Sequence, residues 1–247
     1  MGTISSATVR GLCRAFPGAG EPTFVLSPRG AAKVRALVDE FGAERIAVAD
    51  SNQAVVDACD CVIVAVLPGQ AADVLGALSI PKTTLIISLM ASVNLATLRE
   101  LTRVDRVVVC CPLPAVQQGA GTTIIVPADV PEAAAIYGAV GTAVPVDDED
   151  QYRRLQCMTC LMGDCYERMR TSQEWLKANG VAGDVAATYV SGIFKTILTD
   201  AVGAGPETLG HLVAEQTPGG MNEICLLYTS DAADDTPCVD LGGRRII

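Results

Sequence analysis

The sequence is poor in aromatic residues, basic residues and histidine, and each shortage argues against a class of function. Aromatic side chains make up 4% of the 247 residues, and 28 acidic residues face 18 basic ones, giving a formal net charge of −10. Such a chain lacks the basic surface that nucleic acid requires, so nucleic acid is not an expected partner. The single histidine, His211, argues against a histidine-based metal or hydrolytic centre.

Long apolar runs and leader segments are also missing. No apolar run reaches the roughly 20 residues that a membrane-spanning helix needs, and no basic-then-apolar signal segment opens the chain. We therefore expect a cytoplasmic protein with no membrane partner. Half of the residues are hydrophobic and 19% are charged, so the chain can bury a core and disorder is not expected.

Cysteine, by contrast, is abundant, with ten residues. Without a secretory signal these cysteines do not predict a disulfide framework. Cys157 and Cys160 have the CxxC spacing of metal and redox sites, and Cys165 follows closely. Because no second CxxC is present, we interpret the cysteines as small buried thiols and expect no metal site. A metal or redox role for the pair is the alternative.

Short apolar segments alternate with helical patterns in the first part of the chain, which predicts an α/β fold with a parallel sheet. The second part is helical only, with long helices near 152–179 and 182–202 and a short one near 206–214. We predict a dinucleotide-binding Rossmann-like domain over residues 1–147 and an incomplete all-α dimerisation and substrate domain over 148–224. The predicted strands are 22–27, 45–49, 60–66, 83–88, 106–110, 122–126 and 143–146, and the helices among them are 3–16, 30–41, 52–58, 69–78, 94–102 and 131–140.

The tip of the first predicted strand carries Ser27 and Arg29 at the place where NAD-binding proteins carry an acid. An arginine there accommodates the extra phosphate of NADP, because its fork of donors suits a dianion. The residues therefore predict NADP as the cofactor, with a solvated Arg29 at a helix start as the alternative. Asn52, after the next strand, is expected either to meet the adenine ribose or to cap the following helix.

Both ends of the sequence are unusual. A doubly wound fold needs a central first strand and a glycine turn before its first helix, and neither precedes the helix that begins after Gly2. We expect a Rossmann-like domain that lacks its first strand, and weak or absent cofactor binding by this exact polypeptide. At the other end, residues 225–247 can be back-translated into a sequence that resembles the adapter of transposase-made sequencing libraries, so we predict that they are not native.

Five segments, in this order, resemble the pyrroline-5-carboxylate reductase family, and more particularly a divergent branch of it. Met1-Gly2 with its helix is similar to the end of the glycine fingerprint of the family, and Ser27-Pro28-Arg29 is similar to its NADP-selecting strand tip. Ser51–Gln70 is similar to the family segment that contains the strand after that tip and its Pro-x-Gln end, and Ile86-Ile87-Ser88 is similar to the strand that ends beside the nicotinamide. Thr217–Glu223 is similar to the helix start of the substrate site. The order and spacing of these segments, over residues 1–223, carry the resemblance.

The resemblance implies an NADPH-dependent reductase that transfers a hydride to a small cyclic imine carboxylate, as in proline biosynthesis, and that forms a homodimer or a higher homo-oligomer. The implied cofactor contacts are Gly2, Ser27, Arg29, Asn52, Val66, Pro68, Ser88 and Ala91, and the implied substrate contacts are Thr217, Gly219, Gly220 and Asn222. Backbone N–H groups at a glycine-rich helix start suit a carboxylate. No catalytic side chain is predicted, because hydride transfer to a C=N bond depends mainly on alignment.

Several positions depart from the pattern of the family. Residues 108–114 read Val-Val-Cys-Cys-Pro-Leu-Pro in place of Arg-Val-Met-Pro-Asn-Thr-Pro, and residues 158–166 replace a Ser-Gly-Ser-Gly-Pro-Ala-Tyr stretch. Met221 and Asn222 replace paired threonines. Because these positions surround the imine in the family, two alternatives stay open. One is a noncatalytic NADP-binding relative, and the other is a different NADP- or deazaflavin-dependent oxidoreductase on the same fold.

Overall fold

The computed structural model describes residues 2–17, 23–203, 205 and 208–234. Its chain divides into two compact units, Met1–Cys160 and Leu161–Ile247. Four predicted features lie at least partly outside the described residues: Met1 of the glycine fingerprint, the strand start at residue 22, the helix start at residue 206, and residues 235–247 of the adapter-like segment.

Strands of the first unit form two separate sheets. Among the described residues they are β1 (Phe24–Leu26), β2 (Ile46–Val48), β3 (Cys61–Val64), β4 (Leu85–Ser88), β5 (Val107–Pro112), β6 (Gly121–Val126) and β7 (Gly141–Pro145). β1 and β2 pair in parallel as one sheet, and the other has the order β3-β4-β5-β6-β7. In a doubly wound sheet one central strand lies between the strands equivalent to β1 and β3. No described strand occupies that place, in agreement with the predicted loss of the first strand.

Helices alternate with these strands, and local sequence explains where they start. They are α1 (Thr3–Ala15), α2 (Ala31–Phe41), α3 (Asn52–Ala58), α4 (Ala71–Gly76), α5 (Leu95–Thr102), α6 (Pro131–Gly138) and α7 (Glu149–Cys157), with 3-10 turns at Pro68–Gln70, Pro114–Gln118 and Met158–Cys160. The N–H of Ala54 donates to Ser51 Oγ at 3.1 Å, which caps α3. The N–H of Thr97 donates to Asn94 Oδ1 at 2.8 Å, which caps α5. The predicted α/β alternation is therefore confirmed.

One strand pairing differs from the predicted parallel sheet. β6 runs antiparallel to β5, with Cys110 opposite Ile125. Only residues 113–120 connect the two strands, which is fewer than the dozen or more residues that a parallel crossover needs. β5 also extends beyond its predicted end at residue 110, because Pro112 still pairs with Thr123.

The core lies on both faces of the five-stranded sheet. On one face, Ile86 of β4 packs with Leu98 of α5. On the other, Ile87 packs with Tyr137 of α6 and with Leu12 of α1. All four residues of β4 are buried, as expected for a strand covered on both sides.

Helix α1 is fixed to its neighbours by ion pairs and by a close backbone contact. Arg10 and Arg14 each contact the carboxylate of Glu40, in α2, at 2.7 Å. The hydrogen bond from Arg10, supported by that from Arg14, lowers the pKa of Glu40. Gly11 lies so close to the turn at Val116 that a Cβ on it would meet the Val116 carbonyl oxygen at 2.2 Å.

The first unit ends later than the boundary proposed after residue 147. α7 belongs to this unit, since Tyr152 is buried in its core and the N–H of Leu95 donates to Glu149 Oε1 at 3.0 Å. The division between the units therefore falls after Cys160.

The second unit is helical. Its described helices are α8 (Leu161–Ala178), α9 (Gly183–Gly203), α10 (Thr208–Ala214) and α11 (Met221–Asp234). The single helix predicted over 152–179 is interrupted by the 3-10 turn at Met158–Cys160. α8 ends at Ala178, close to the predicted end at residue 179. Gly180 has a φ of +89°, and the N–H of Val181 donates to the Leu176 carbonyl at 3.0 Å.

The long helices of the second unit expose much of their apolar surface within this chain. Trp175 is 65% exposed and Val202 is 85% exposed. α9 has 21 residues with a mean hydropathy of 1.2 over its most apolar window, of which 11% is buried. By length and composition alone α9 can cross a membrane, so the expectation that no apolar run is long enough is wrong. The same composition fits a helix that packs against another protein.

Candidate functional site

Ser27 and Asn52 come together at one edge of the sheet formed by β1 and β2. Ser27 follows β1, Asn52 is the first residue of α3 after β2, and Ser27 Oγ donates to Asn52 Oδ1 at 2.7 Å. The two strands are parallel, so their carboxyl ends share an edge, which is where ligands bind in such sheets. Ser51 caps α3, so the cap role considered for Asn52 is wrong and its side chain faces Ser27 instead.

Arg29 lies in the turn between β1 and α2, immediately beside this pair. Its residue is exposed, and its N–H lies 3.5 Å from Ser27 Oγ. The next residue, Gly30, is the N-cap of α2 and has a φ of +75°, a left-handed conformation that favours glycine. The turn thus places a cation, a hydroxyl and an amide at one strand end, which is the combination expected around a phosphate.

Lys33 is a further cation that the sequence analysis missed. It lies in the first turn of α2, and its Nζ donates to Thr3 Oγ1 at 3.1 Å, at the start of α1. The positive end of a helix dipole favours acidic side chains, so a lysine in the first turn has a small electrostatic cost. The unfavourable position of Lys33 at the positive end of the helix could have marked it as a functional residue in the sequence. Its hydrogen-bond partner, Thr3, could not be predicted from the sequence.

The N-terminus of α1 offers backbone donors. Gly2 is its N-cap with an extended conformation, and the N–H of Gly2 donates to Ser5 Oγ at 3.0 Å. The Gly2 carbonyl accepts from the N–H of Ser6 at 3.1 Å. Within the described part of the chain, the N–H groups of Thr3 and Ile4 have no hydrogen-bond acceptor. Such groups at the start of a 13-residue helix are suited to an anion.

The remaining predicted cofactor contacts follow β3 and β4. Val66 is half-buried and packs on the core, and Pro68 starts an exposed 3-10 turn next to Leu67, which is 68% exposed. Ser88 is fully buried, and its Oγ accepts from the N–H of Met90 at 3.2 Å. Ala91 is half-buried. The Ser88 hydroxyl therefore supports the turn after β4, and a ligand role for it stays a prediction.

The predicted substrate segment lies in the second unit, at the start of α11. Gly219 has a φ of +73°, Gly220 is followed by the first helical residue, and the N–H of Gly220 donates to the Thr217 carbonyl at 2.8 Å. The N–H of Gly219 donates to Glu223 Oε2 at 2.7 Å. Glu223 therefore binds a backbone donor of its own segment. The first-turn N–H of Asn222 keeps no partner among the described residues.

The nine cysteines within the described residues fall into three groups by exposure. Cys13 and Cys110 are buried, Cys59, Cys61 and Cys111 are half-buried, and Cys157, Cys160, Cys165 and Cys225 are exposed. Desolvation by burial raises the pKa of Cys61 to about 11 and raises that of Cys110 further. The interpretation of the cysteines as buried thiols is thus wrong for Cys157, Cys160, Cys165 and Cys225. No cluster of three or more possible metal ligands occurs in the described ranges.

Parallel strands separated by helices, polar side chains at the carboxyl ends of β1 and β2, and free donors at the start of α1 define a Rossmann-like dinucleotide-binding fold. A helical unit follows it in the chain. The predicted fold class is therefore confirmed.

Comparison with known proteins shows which families of Rossmann-like proteins this chain resembles. Residues 2–92 match the sequence model of a family described as NADP oxidoreductase, coenzyme F420-dependent. A search of the curated proteins gave no significant match.

Solved structures share the fold over most of the chain. A pyrroline-5-carboxylate reductase from Coxiella burnetii has a TM-score of 0.74 and 20% identity, covering 94% of this chain and 88% of its own. Pyrroline carboxylate reductase from Plasmodium falciparum, with NADP bound, has a TM-score of 0.75 and 18% identity over the same shares. A reductive aminase from Aspergillus terreus, in complex with NADPH and ethyl levulinate, has a TM-score of 0.57 and 19% identity, covering 87% of this chain and 74% of its own. The resemblance stated from the sequence is confirmed, and at these identities the structural likeness establishes the fold.

Proposed function

We propose that this protein is an NADPH-dependent reductase that transfers a hydride to the C=N bond of a small cyclic imine carboxylate. The observation that carries the proposal is the group formed by Ser27, Asn52 and Arg29 where β1 and β2 end, together with Lys33, which bonds to Thr3 at the start of α1. This group supplies donors and positive charge where an NADP phosphate is bound in such folds. The NADP-bound and NADPH-bound proteins that share the fold support the same cofactor.

Each side chain of the group has a separate task in this proposal. Arg29 provides a fork of donors for the 2′-phosphate, and Ser27 adds a hydroxyl. Lys33 and the N–H groups of Thr3 and Ile4 lie at the start of α1 and are suited to the pyrophosphate. The reduced nicotinamide supplies the hydride, and the protein contributes alignment and exclusion of water.

The substrate carboxylate is assigned to the start of α11. Gly219 and Gly220 allow close approach of a ligand to the backbone there. Glu223 already accepts the Gly219 N–H, so a substrate carboxylate has two possible positions. It binds the Gly219 N–H once Glu223 has moved away, or it binds the N–H groups in the first turn of α11. A substrate with a carboxylate is favoured over a neutral one, since both positions offer backbone donors at a helix N-terminus.

A homodimer through the helical unit completes the proposal. Trp175, Tyr189 and Ile193 are exposed and line a groove of about 760 Å³ on α8 and α9. Apolar helical faces of this extent are stabilised when a second copy covers them. Trp175→Glu should then convert a dimer into a monomer in multi-angle light scattering, whereas a chain that is monomeric throughout would contradict this part of the proposal.

The cofactor part is tested by titrating NADPH and NADH while nicotinamide fluorescence is recorded. The titration compares residues 1–247 with a chain extended at its N-terminus by a strand designed to lie between β1 and β3. We expect tight binding of NADPH only by the longer chain, followed by NADPH oxidation with cyclic imine carboxylates such as 1-pyrroline-5-carboxylate. Tight NADPH binding by residues 1–247 would contradict the need for an upstream strand, and no binding by either chain would refute the proposal.

A second function has one observation in its favour. The family description that matches residues 2–92 names coenzyme F420, a deazaflavin. An oxidoreductase that exchanges hydride between NADP and a deazaflavin would also use Arg29 for the phosphate. Reduction of the deazaflavin by NADPH, with imine substrates inactive, would select this function. NADPH binding without either reaction would select a noncatalytic relative.

A further inference from the structure

Helix α1 packs on both sheets of the first unit. Its Val9 packs in the cluster that contains Leu26 of β1, and its Ala7 packs in the cluster that receives Ile63 of β3. Phe24 of β1 packs against both clusters. One helix therefore lies across the place between β1 and β3, where no described strand lies.

The backbone groups of Val25 point away from β2. The N–H of Phe24 donates to the Arg45 carbonyl at 2.9 Å. The Leu26 carbonyl accepts from the N–H of Ala49, also at 2.9 Å. Backbone groups of successive strand residues point to opposite sides in the plane of the sheet. Those of Val25, between the two bonded residues, therefore point toward the β3 side, and among the described strands β1 pairs with β2 alone.

Cys61 and Ile63 of β3 are oriented in the corresponding way. The carbonyls of Asp60 and Val64 each accept a hydrogen bond, at 2.8 Å, from an N–H in β4 or directly after it. The backbone groups of the residues between them therefore point away from β4, toward the β1 side. Both side chains are half-buried, whereas all four residues of β4 are buried. We call the place between Val25 on one side and Cys61 and Ile63 on the other the strand slot.

We propose that the strand slot binds an extended, uncharged apolar peptide in trans, as a strand parallel to β1 and β3. One such backbone pairs with both edges at once, which is the mode of recognition used when a peptide is added to a sheet. The direction follows from the order of strands in a doubly wound sheet.

The surroundings of the strand slot select the chemistry of the peptide. α1 covers one face through Ala7, and Val62 and Val64 are buried on the opposite face of β3. A parallel strand covered on both faces is apolar along its whole length. A charged side chain would be buried there without a partner, so an acidic or basic segment is excluded.

The test adds a fluorescein-labelled peptide to the 247-residue chain and follows fluorescence anisotropy. The peptide has about eight residues, within the usual length of a strand, and valine and alanine alternate in it between terminal lysines. We expect saturable binding, and hydrogen-exchange mass spectrometry should show new protection of residues 24–26 and of residues 61–64. Protection of one edge alone, or of neither, would overturn the proposal.

N-methylated peptides test whether both edges are used without changing the protein. One peptide is methylated on its valine amides and the other on its alanine amides. Both sets of amides donate in the strand slot, so each peptide should bind at least about tenfold more weakly than the unmethylated one. A peptide on a single edge can turn the methylated set to solvent, so tolerance of either methylation is the result that refutes the strand slot.

Val25→Pro and Val48→Pro form a matched pair of variants. The first removes the N–H that points into the strand slot and keeps the bonds to β2. The N–H of Val48 points to the outer edge of β2, because that of Ala49 donates to β1. Val25→Pro should raise the dissociation constant of the peptide about 2- to 12-fold, and Val48→Pro should leave it unchanged.

Far-UV circular dichroism checks that both variants keep their secondary structure. Equal effects of the two substitutions would place the peptide elsewhere and overturn the proposal, as would dimers of the chain that persist when the peptide is in excess. Because no cofactor enters these assays, their failure is distinct from failure of the proposed reductase.

Discussion

Replacing Arg29 by alanine should remove the preference of the protein for NADPH without affecting NADH. Arg29 stands beside Ser27 and Asn52 at the end of β1, where only NADP presents a third phosphate group. The substitution leaves β1, the cap of α3 and the start of α1 unchanged. Its effect on cofactor binding should therefore fall on the 2′-phosphate.

The size of the change in the dissociation constant follows from the hydrogen bonds proposed between the Arg29 guanidinium and the 2′-phosphate. A hydrogen bond to a charged group contributes about 1.5–3 kcal/mol, which corresponds to about a 10- to 150-fold change in the dissociation constant. Because Arg29 is exposed, the phosphate contact is partly screened by salt, so the lower half of this range applies at physiological ionic strength. We expect the dissociation constant of NADPH to rise about 10- to 40-fold, with that of NADH unchanged.

Fluorescence titration of the N-terminally extended chain measures both constants, at low and at physiological salt. Arg35→Ala is the matched control, since Arg35 is also an exposed arginine of the same segment but lies farther along α2. Arg35→Ala should leave both constants unchanged. If Arg29→Ala weakens NADH as much as NADPH, or if Arg35→Ala has the larger effect, the assignment of the phosphate site is incorrect.

Three further results are expected. Lys33→Ala should weaken NADPH and NADH alike, about tenfold in the same titration, because Lys33 lies at the start of α1 near the shared pyrophosphate; an effect on NADPH alone would contradict this. The pKa of Glu40 is lowered in the folded protein, so this carboxylate adds stability that is present above its ordinary pKa of 4.5 and is lost as the pH falls further. The free energy of unfolding of Glu40→Gln should therefore fall less steeply below pH 4.5 than that of the unsubstituted chain. Urea denaturation at several pH values measures this, and parallel profiles would count against it. Gly11→Ala should destabilise the first unit by about 1–3 kcal/mol, since its Cβ would lie 2.2 Å from the Val116 carbonyl. Gly138→Ala, which meets nothing within 4 Å, is the control in thermal denaturation.

Much of the fold could be predicted because its signals are local. Alternating apolar segments predicted elements such as α2 and α3 nearly residue by residue. The antiparallel pairing of β6 could not be predicted from the strand alone, since it depends on the short connection at residues 113–120. The break at Met158–Cys160 was missed for a similar reason, because a 3-10 turn has nearly the same apolar pattern as a continuous helix.

The candidate site was predicted by residue type rather than by contact. Ser27, Arg29 and Asn52 were identified because strand ends carry ligand-binding residues, and the structure adds the hydrogen bond between Ser27 and Asn52. Lys33 was missed because its partner, Thr3, is distant in sequence. The bond from the Gly219 N–H to Glu223 could not be predicted from residue type, because it lies in a turn where Gly219 has a φ of +73°.

The separation of β1 from β3 has a practical consequence. Among the described strands, each of these two has a single partner, on one side only, so each leaves a row of backbone donors and acceptors unpaired. Such edges template pairing with other chains, and β3 adds an apolar sequence to its edge. Concentrated preparations of the 247-residue chain should therefore aggregate through strand exchange. Adding a strand that pairs with both edges should first be noticed as a gain in soluble yield, before any cofactor is added.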